Sequence, residues 1–324
     1  MSLRRERVLV DERDLLRICY LYYREEKTQE EISALFGLSR FKVNRLLKEA
    51  KNKGLVTIQI HDPLEKLTEL EFKLTKGFGL KESIVVRANP FNGKTAQEQV
   101  GEAGAEYLTH VINGIRVLGV SWGRTLFHVV TNVKPLEARD LTVVQISGGL
   151  GTIEGTDTNI LTMVLSQKFG GRAFVLQAPV IVKNRLIKDT LLGEGKIREA
   201  LERARRSDAV IFGIGLVDQG GGLWRAGFLD ERDETRLKKA GAVGAMGGRF
   251  YNVRGETCFN DLDDRIIGLT LDELRKIRHK IGVACGSEKR DAILGALRGG
   301  LLDVLITDEK TARALLARIG HDSE

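Results

Sequence analysis

The sequence predicts two domains: an N-terminal helical domain of the winged helix-turn-helix type and a larger α/β domain with a mostly parallel sheet. Residues 28–47 have the pattern of two short helices joined by a glycine turn. From residue 83 onward, continuous apolar strands alternate with helices, which is typical of parallel strands buried on both faces. Residues 1–60 contain thirteen Lys and Arg against nine Asp and Glu, net +4, whereas the other 264 residues carry +3.

Capping residues define the helix-turn-helix pattern. Thr28 and Glu31 form a capping box at the start of the first short helix. Gly37 supplies the backbone angles that end this helix, and Ser39 caps the next one. The apolar residues predicted to face inward are Ile32, Leu35, Phe36, Val43, Leu46 and Leu47.

The second short helix predicts a DNA-binding surface. From Ser39 to Lys53 there are six basic residues and one acid, net +5, which suits neutralisation of phosphates. Arginine and asparagine side chains can also bond to base edges in the major groove. The alternative is a helical hairpin whose charged face is only solvated. The residues predicted to contact DNA are Thr28, Ser39, Arg40, Phe41, Lys42, Asn44, Arg45 and Lys48.

Three segments follow one another along the chain. Residues 1–60 form the DNA-binding domain, and their last part, 55–60, is a β-rich run that either forms a wing or leads out of the domain. Residues 61–80 are predicted to be a linker helix, because Asp62 and Pro63 make a strong helix start and leucines recur at spacings of three and four. This helix either docks on its own chain or pairs with a second copy. Residues 81–324 form the α/β domain, which is predicted to bind a ligand and to oligomerise.

Strands and helices alternate along this domain. The predicted strands are 84–86, 116–120, 141–146, 173–176, 209–213, 281–285 and 304–307. The predicted helices are 95–111, 125–132, 157–169, 197–206, 288–298 and 309–319. Glycine clusters lie where strands end, which is the edge at which open α/β sheets bind ligands.

Three of these strand ends predict an anion or sugar pocket. Ser121 lies between a strand and a helix, where backbone N–H groups bind anions. The run S-G-G-L-G-T at 147–152 either cradles a phosphate or allows close packing of the backbone. Lys289 follows a strand and a glycine and can reach a phosphate or a sugar hydroxyl. The predicted ligand-binding residues are Ser121, Gly148, Gly149, Gly151, Thr152 and Lys289.

Other functional classes fit the sequence less well. Ser121 matches the G-x-S-x-G pattern of serine hydrolases, but neither His279 nor His321 is placed to serve it. Residues 213–215 lack the third glycine of a dinucleotide fingerprint, so no nicotinamide cofactor is expected. Scattered cysteines and histidines predict no metal site. We expect a cytoplasmic protein with no membrane partner, since no apolar run approaches about 20 residues and no signal peptide is present.

Taken together, these segments resemble the SorC family of bacterial sugar-responsive transcription regulators. The resemblance covers nearly the whole chain and rests on the helix-turn-helix, on G-V-S-W-G-R-T-L at 119–126, on G-A-V-G-A-M-G-G-R-F at 241–250, and on the long run at 283–309. It implies an effector domain similar in fold to sugar-phosphate isomerases and glucosamine-phosphate deaminases but used for sensing. It also implies a homodimer or homotetramer whose operator binding is tuned by a sugar, polyol or sugar phosphate, held by residues 149–152 and Lys289.

One position departs from the family pattern. Members often carry an acid just after the G-A-V-G run, whereas this chain has Ala245 there. The predicted function is a ligand-responsive regulator of a carbohydrate-use operon, without cofactor and without enzymatic activity. The alternatives are a DNA-binding domain joined to an enzyme, either related to the isomerases and deaminases or a serine hydrolase, and a larger domain that only oligomerises.

Overall fold

A computed structural model of the protein describes residues 11–57, 67–136, 140–151, 156–258 and 260–319. The chain divides into two units, Met1–Pro63 and Leu64–Glu324. None of the helices in the described ranges combines the length and the apolar character that are needed to cross a lipid bilayer.

In the smaller unit, the described helices are α1 (Glu12–Tyr23), α2 (Gln29–Phe36) and α3 (Arg40–Asn52). The predicted capping box is present at the start of α2. Glu31 N donates to Thr28 Oγ1 at 3.2 Å, and Thr28 N donates to Glu31 Oε2 at 2.8 Å. Gly37 ends α2 in the left-handed region with φ +61°. Ser39 then caps α3 by accepting a hydrogen bond from Lys42 N at 3.2 Å.

One side of each helix forms the core of this unit. Its buried residues are Leu15, Ile18, Cys19, Ile32, Leu38, Val43, Leu46, Leu47 and Ala50. The prediction that Leu35 faces inward is wrong, since 64% of its surface is exposed. Helix α2 packs along its Ile32 and Phe36 side, and Leu35 is rotated about 100° from Phe36 around the helix. Of the predicted wing strand, residues 55–57 are not in a strand, and residues 58–60 lie outside the described ranges.

A parallel sheet dominates the larger unit. The described strands are β1 (Glu82–Val86), β2 (Val117–Val120), β3 (Thr142–Gln145), β4 (Arg172–Phe174), β5 (Ala209–Gly213), β6 (Ala242–Met246), β7 (Arg249–Asn252), β8 (His279–Val283) and β9 (Val304–Asp308). Seven of them form one sheet in the order β1-β9-β8-β5-β2-β3-β4, and every pair is parallel. Strands β6 and β7 form an antiparallel hairpin. The predicted mostly parallel α/β domain is thereby confirmed.

Helices complete this unit. They are α4 (Leu67–Phe78), α5 (Ala96–Val111), α6 (Arg124–Asn132), α7 (Thr158–Lys168), α8 (Arg185–Gly193), α9 (Gly195–Arg205), α10 (Gly222–Arg225), α11 (Glu231–Lys239), α12 (Asn260–Asp263), α13 (Leu271–Arg275), α14 (Arg290–Arg298) and α15 (Glu309–Ile319). The two faces of the sheet pack into two separate apolar clusters. Along β5, Val210 and Phe212 belong to one cluster, while Ala209 and Ile211 belong to the other. Both faces of the strand are therefore buried, as its unbroken apolar run predicts.

Helix α4 lies within the segment 61–80 that is predicted to be a linker helix, whereas its predicted start at Asp62 and Pro63 lies outside the described residues. Its residues Leu67, Leu70 and Leu74 are buried in a core cluster of the larger unit. Polar contacts add to this docking, since Val85 N donates to Glu71 Oε1 at 2.8 Å. The leucine face of α4 is thus covered within its own unit, while Phe72 on the other side is exposed.

A buried arginine fastens the β6–β7 hairpin, which the sequence analysis did not predict. Only 2% of Arg249 is exposed, and its guanidinium donates to the carbonyl oxygens of Asp263, Gly268 and Leu269, each at 3.0 Å. It also pairs with the Asp263 carboxylate at 2.7 Å. The side chain thereby ties the hairpin to the segment 263–269.

We expect Arg249→Met to lower the free energy of unfolding of the larger unit by about 3–5 kcal/mol, because it leaves a carboxylate and several buried carbonyl groups without their donor. Chemical denaturation followed by tryptophan fluorescence would measure this, since both tryptophans, Trp122 and Trp224, lie in the larger unit. The control is Arg254→Met, which removes an exposed ion pair with Glu256 and should cost less than about 1 kcal/mol. Equal losses in both variants would contradict the structural role of Arg249.

Candidate functional site

A cleft lies at the carboxyl edge of the parallel sheet, between the ends of β2 and β5. The chain runs from β2 to β3 on one side, while β5 lies on the other. The strand order therefore reverses here, which is where open α/β sheets bind ligands. Residues 121–125, from the loop after β2 and the start of α6, line the cleft together with residues 213–216, from the end of β5 and the loop that follows it. The other lining residues are Gln97, Gly220, Gly222, Leu223, Trp224, Arg225, Leu229, Ala245, Gly247, Gly248, Phe250 and Lys289.

Cationic side chains give this cleft its charge. Arg124, Arg225 and Lys289 all line it, and no aspartate or glutamate does so within the part of the chain that the structure describes. Arg225 donates to the carbonyl oxygen of Gly220 at 2.6 Å, which orients its guanidinium. Lys289 forms no ion pair with any described residue. The cleft therefore has the electrostatics of an anion-binding site.

Burial lowers the pKa of Lys289, because a charged ammonium is poorly solvated there. The neighbouring guanidinium groups of Arg124 and Arg225 lower this pKa further, whereas Cys285 and Glu288 oppose the shift. An anion bound beside Lys289 would favour the charged ammonium. Ligand binding and protonation of this side chain are therefore linked.

The loop that carries Lys289 is anchored by Asp308 at the end of β9. Gly286 N donates to both Asp308 Oδ2 and Thr311 Oγ1 at 2.9 Å, and Thr311 N donates to Asp308 Oδ1 at 3.0 Å. Both Asp308 and Thr311 are buried, so water does not compete for these hydrogen bonds. Asp308 therefore fixes the turn that places Lys289 in the cleft.

The β6–β7 hairpin forms one wall of the cleft. Gly215 and Ala245 exchange two backbone hydrogen bonds, with N···O distances of 2.9 and 3.0 Å. This pairing sets Ala245, Gly247 and Gly248 against the loop after β5. At Ala245, Gly247 and Gly248 this wall offers no carboxylate to a ligand.

Two tryptophans add apolar surface to the same cleft. Trp122 follows Ser121 in the loop after β2, and Trp224 lies in the short helix α10. A Cβ atom at Gly222 would lie 2.9 Å from Trp122 Nε1, so glycine is required for the close approach of these two segments. Flat apolar faces next to cations suit a ligand that has both a charged end and a less polar body.

Ser121 lies at the carboxyl edge of the sheet, away from His279, the described histidine considered as its partner. It follows β2 directly and is buried in the cleft lining. His279 begins β8 and so lies at the amino edge, where its Nε2 is 3.0 Å from the hydroxyl of Tyr107. The two residues are thus at opposite edges of the sheet, and His321 lies outside the described residues. The structure brings no support to a hydrolytic Ser121–His279 pair.

None of the described residues of the predicted glycine loop, 147–151, lines this cleft. Gly149 and Gly151 line a separate depression, together with Pro179 and Phe228. Backbone N–H groups of Leu150 and Gly151 donate to Asp157 Oδ2 at 2.8 and 3.0 Å, so these two donors are already used within the protein.

Gly148 is a position of close backbone packing. A Cβ atom there would lie 2.4 Å from the carbonyl oxygen of Pro179. Thr152 lies outside the described residues. Of the predicted ligand-binding residues, the structure therefore brings together Ser121 and Lys289.

Sequence reasoning missed several residues that line the cleft. Arg124 had a usable signal, since it begins the helix after the same strand and glycine that singled out Ser121. Trp224 and Arg225 had none, because residues 216–230 show no strand or helix periodicity and reach the cleft only through tertiary packing.

The smaller unit presents a second candidate site, the outward surface of α3. Arg40, Phe41, Arg45 and Lys48 are exposed there, and Lys42 and Asn44 are half-buried. Thr28 and Ser39 serve as caps, with their hydroxyl oxygens accepting the hydrogen bonds from Glu31 N and Lys42 N. Six of the predicted DNA-contacting residues therefore lie on α3, and the four exposed ones include three cations.

Comparison with known proteins identifies the family. The family described as "Putative sugar-binding domain" matches residues 62–317. The chain belongs to this sugar-binding-domain family. Among curated members, the deoxyribonucleoside regulator of Bacillus subtilis (strain 168) is 33% identical over 297 residues, which is 91% of this chain and 95% of the relative. The transcriptional regulator LsrR of Enterobacter sp. (strain 638) is 32% identical over 96% of this chain and 95% of its own length.

Solved structures of the family agree with this assignment. The full-length sorbitol operon regulator SorC from Klebsiella pneumoniae superimposes with a TM-score of 0.72 at 28% identity, covering 94% of this chain and 99% of that chain. The resemblance to SorC-family regulators is therefore confirmed. The relatives named here are transcription regulators, and none is named as an enzyme.

We expect Asp308→Asn to speed the hydrogen exchange of the Gly286 amide by about tenfold, since one charge-assisted acceptor is lost. Exchange measured by NMR or mass spectrometry at matched pH would show this. Asp291→Asn is the control, because Asp291 pairs with Arg290 and makes no contact to the loop. An unchanged Gly286 rate in Asp308→Asn would show that Thr311 alone holds the loop.

Proposed function

We propose that this chain is a ligand-responsive DNA-binding transcription regulator of a carbohydrate-use operon. In this proposal α3 binds operator DNA, and the cleft binds a small sugar derivative that carries a phosphate. The observation that carries the proposal is a cleft with three cations and no carboxylate among its described lining residues, on a domain of a sugar-binding family. The alternative effector is an uncharged sugar or polyol, and the experiment below tests both kinds of ligand.

The charge of the cleft favours a phosphorylated effector over a neutral one. Enclosing an ammonium without a counter-ion is unfavourable, and a phosphate would supply the missing negative charge beside Lys289. Arg124 and Arg225 line the same cleft and help to lower the pKa of Lys289, so all three positive charges would act on an anion bound there. Trp122 and Trp224 would pack against the carbon skeleton of the same ligand.

Named relatives support the carbohydrate class. Two of them are a deoxyribonucleoside regulator and a sorbitol operon regulator. Both names refer to compounds that contain a sugar or are polyols. For this chain we therefore propose a cytoplasmic regulator that senses such a compound or its phosphate.

The basic surface of α3 would bind the major groove of operator DNA. Helix-turn-helix proteins usually read two half-sites as a dimer, so we propose a homodimer or homotetramer. Effector binding would shift the population between arrangements of the chains that differ in the spacing of their paired α3 helices. The sign of the response depends on which arrangement matches the operator.

Fluorescence anisotropy of the purified chain on its own upstream DNA tests the proposal. The titration would be run at two salt concentrations, with and without a pool of sugars, polyols and sugar phosphates. Salt-sensitive binding that changes with one sugar phosphate is the expected result. Binding no tighter than to random DNA, under every condition, would reject the regulator.

The affinity for a sugar phosphate should fall as the pH rises through the lowered pKa of Lys289, in the range below its ordinary value of 10.5. Deprotonation removes the charge that attracts the phosphate. Above about pH 7.5 the phosphate is already a dianion, so the ligand itself adds no slope. Isothermal titration calorimetry between pH 7.5 and the alkaline limit of stability would measure this effect.

Two variants control the pH experiment. Lys289→Arg should flatten the profile, because a guanidinium stays protonated throughout. Lys239→Arg, at the exposed end of α11, should keep the wild-type slope. A flat wild-type profile would remove Lys289 from the proposed binding site.

Arg45→Ala should weaken operator binding by about 1–3 kcal/mol and reduce the slope of log affinity against log salt by about one. Arg45 is exposed on α3, so truncation should leave the fold intact. Arg13→Ala, an exposed arginine on α1, is the matched control and should change neither quantity. Identical salt slopes for Arg45→Ala and the wild type would assign the DNA contact to another surface.

A further inference from the structure

An exposed aromatic ring stands at the start of α3. Phe41 is the second residue of this helix, and 91% of its surface is exposed. Because its ring lies outside the core, Phe41 adds almost no hydrophobic stabilisation to the smaller unit. Its burial would contribute only when a partner covers it.

The position of Phe41 identifies which partner this is. Helix α3 buries Val43, Leu46, Leu47 and Ala50 on one side. Phe41, Arg45 and Lys48 follow one another at spacings of four and three, so they share the opposite side. All three are exposed, and the ring therefore belongs to the same stripe as two of the cations proposed to contact DNA.

A second copy of the same surface would be a poor partner for this ring. The exposed residues named beside Phe41 on α3 are the basic side chains of Arg40, Arg45 and Lys48. Pairing two copies of this surface would therefore bring like charges together. A polyanion such as DNA has the complementary charge. When a recognition helix lies in the major groove, its N-terminal residues are the ones that reach base edges.

We propose that Phe41 reads the 5-methyl group of a thymine in the operator. The phenyl ring has no hydrogen-bond donor or acceptor, and the thymine methyl is the apolar group that base edges present in the major groove. Phe41 would thus specify a thymine in each half-site, while Arg45 and Lys48 contact phosphates or base edges one and two turns further along. This inference rests on the proposed DNA-binding function.

The test uses the full chain and its preferred DNA site, obtained by selection from random duplexes. Each thymine of that site is replaced in turn by deoxyuridine, which removes only the methyl group. Affinities are measured by anisotropy for the wild type, Phe41→Ala and Leu35→Ala. Leu35 is the matched control, since it is an exposed apolar residue of the same unit but lies on α2.

At one thymine of each half-site, we expect the wild type to bind deoxyuridine DNA about fourfold more weakly, as for the loss of one buried methyl group. Phe41→Ala should bind the thymine site more weakly and make no distinction between the two bases there. Leu35→Ala should keep the wild-type distinction.

Two results would overturn this assignment. One is a wild type indifferent to every deoxyuridine substitution, and the other is a Phe41→Ala variant that still prefers thymine. A changed oligomeric state in Phe41→Ala, with the thymine preference retained, would place the ring in a contact between chains. If no DNA is selected at all, the DNA-binding proposal fails and this one fails with it. DNA binding that is indifferent to the thymine methyl group overturns this proposal alone.

Discussion

Burial of both faces of the parallel sheet is the constraint on which the larger unit depends. Residues 209–212 of β5 alternate between two apolar clusters, and helices must cover each of them. With both faces occupied, a ligand can approach only at the edges, where strands end and loops begin. At the carboxyl edge, the reversal of strand order between β2 and β5 leaves room for the cleft. The position of the cleft therefore follows from the hydrophobicity of the strands.

Two lysines show how the two edges of this sheet differ. Lys280, in β8 near the amino edge, is buried and pairs with Asp303 at 2.7 Å while donating to Ile277 O at 3.0 Å. Its charge is satisfied within the protein, as a buried charge requires. Lys289, at the carboxyl edge, forms no ion pair with any described residue. The charge of Lys280 is thus neutralised within the fold, whereas no described residue neutralises that of Lys289 by an ion pair.

Local signals in the sequence predicted the fold far better than the site. Capping boxes and apolar runs act over a few residues, so the start of α2 and the strand β5 could be located from sequence alone. Leu35 was assigned to the wrong side because helical periodicity does not show which side of a short helix its neighbours cover. The β6–β7 hairpin could not be predicted from local sequence, because Arg249 holds it through carbonyl groups of a later segment.

The candidate cleft was predictable only where a single loop carried the signal. Ser121 follows β2 directly, Lys289 follows β8 and Gly286, and both line the cleft. Arg225 joins them through folding of a segment without periodicity. The glycine loop at 148–151 had the composition of an anion cradle, but Asp157 occupies two of its N–H groups. Composition alone does not distinguish a loop whose donors are free from one whose donors are satisfied internally.

One wall of the cleft, the β6–β7 hairpin, is not part of the parallel sheet, which has an evolutionary consequence. The β6–β7 hairpin contributes Ala245, Gly247 and Gly248 to the cleft but no strand to the parallel sheet. Substitutions in this short segment would change the lining of the cleft without changing a strand of the parallel sheet or the contacts of Asp308 with the loop that carries Lys289. For the effector site proposed above, ligand specificity can therefore diverge through the hairpin alone.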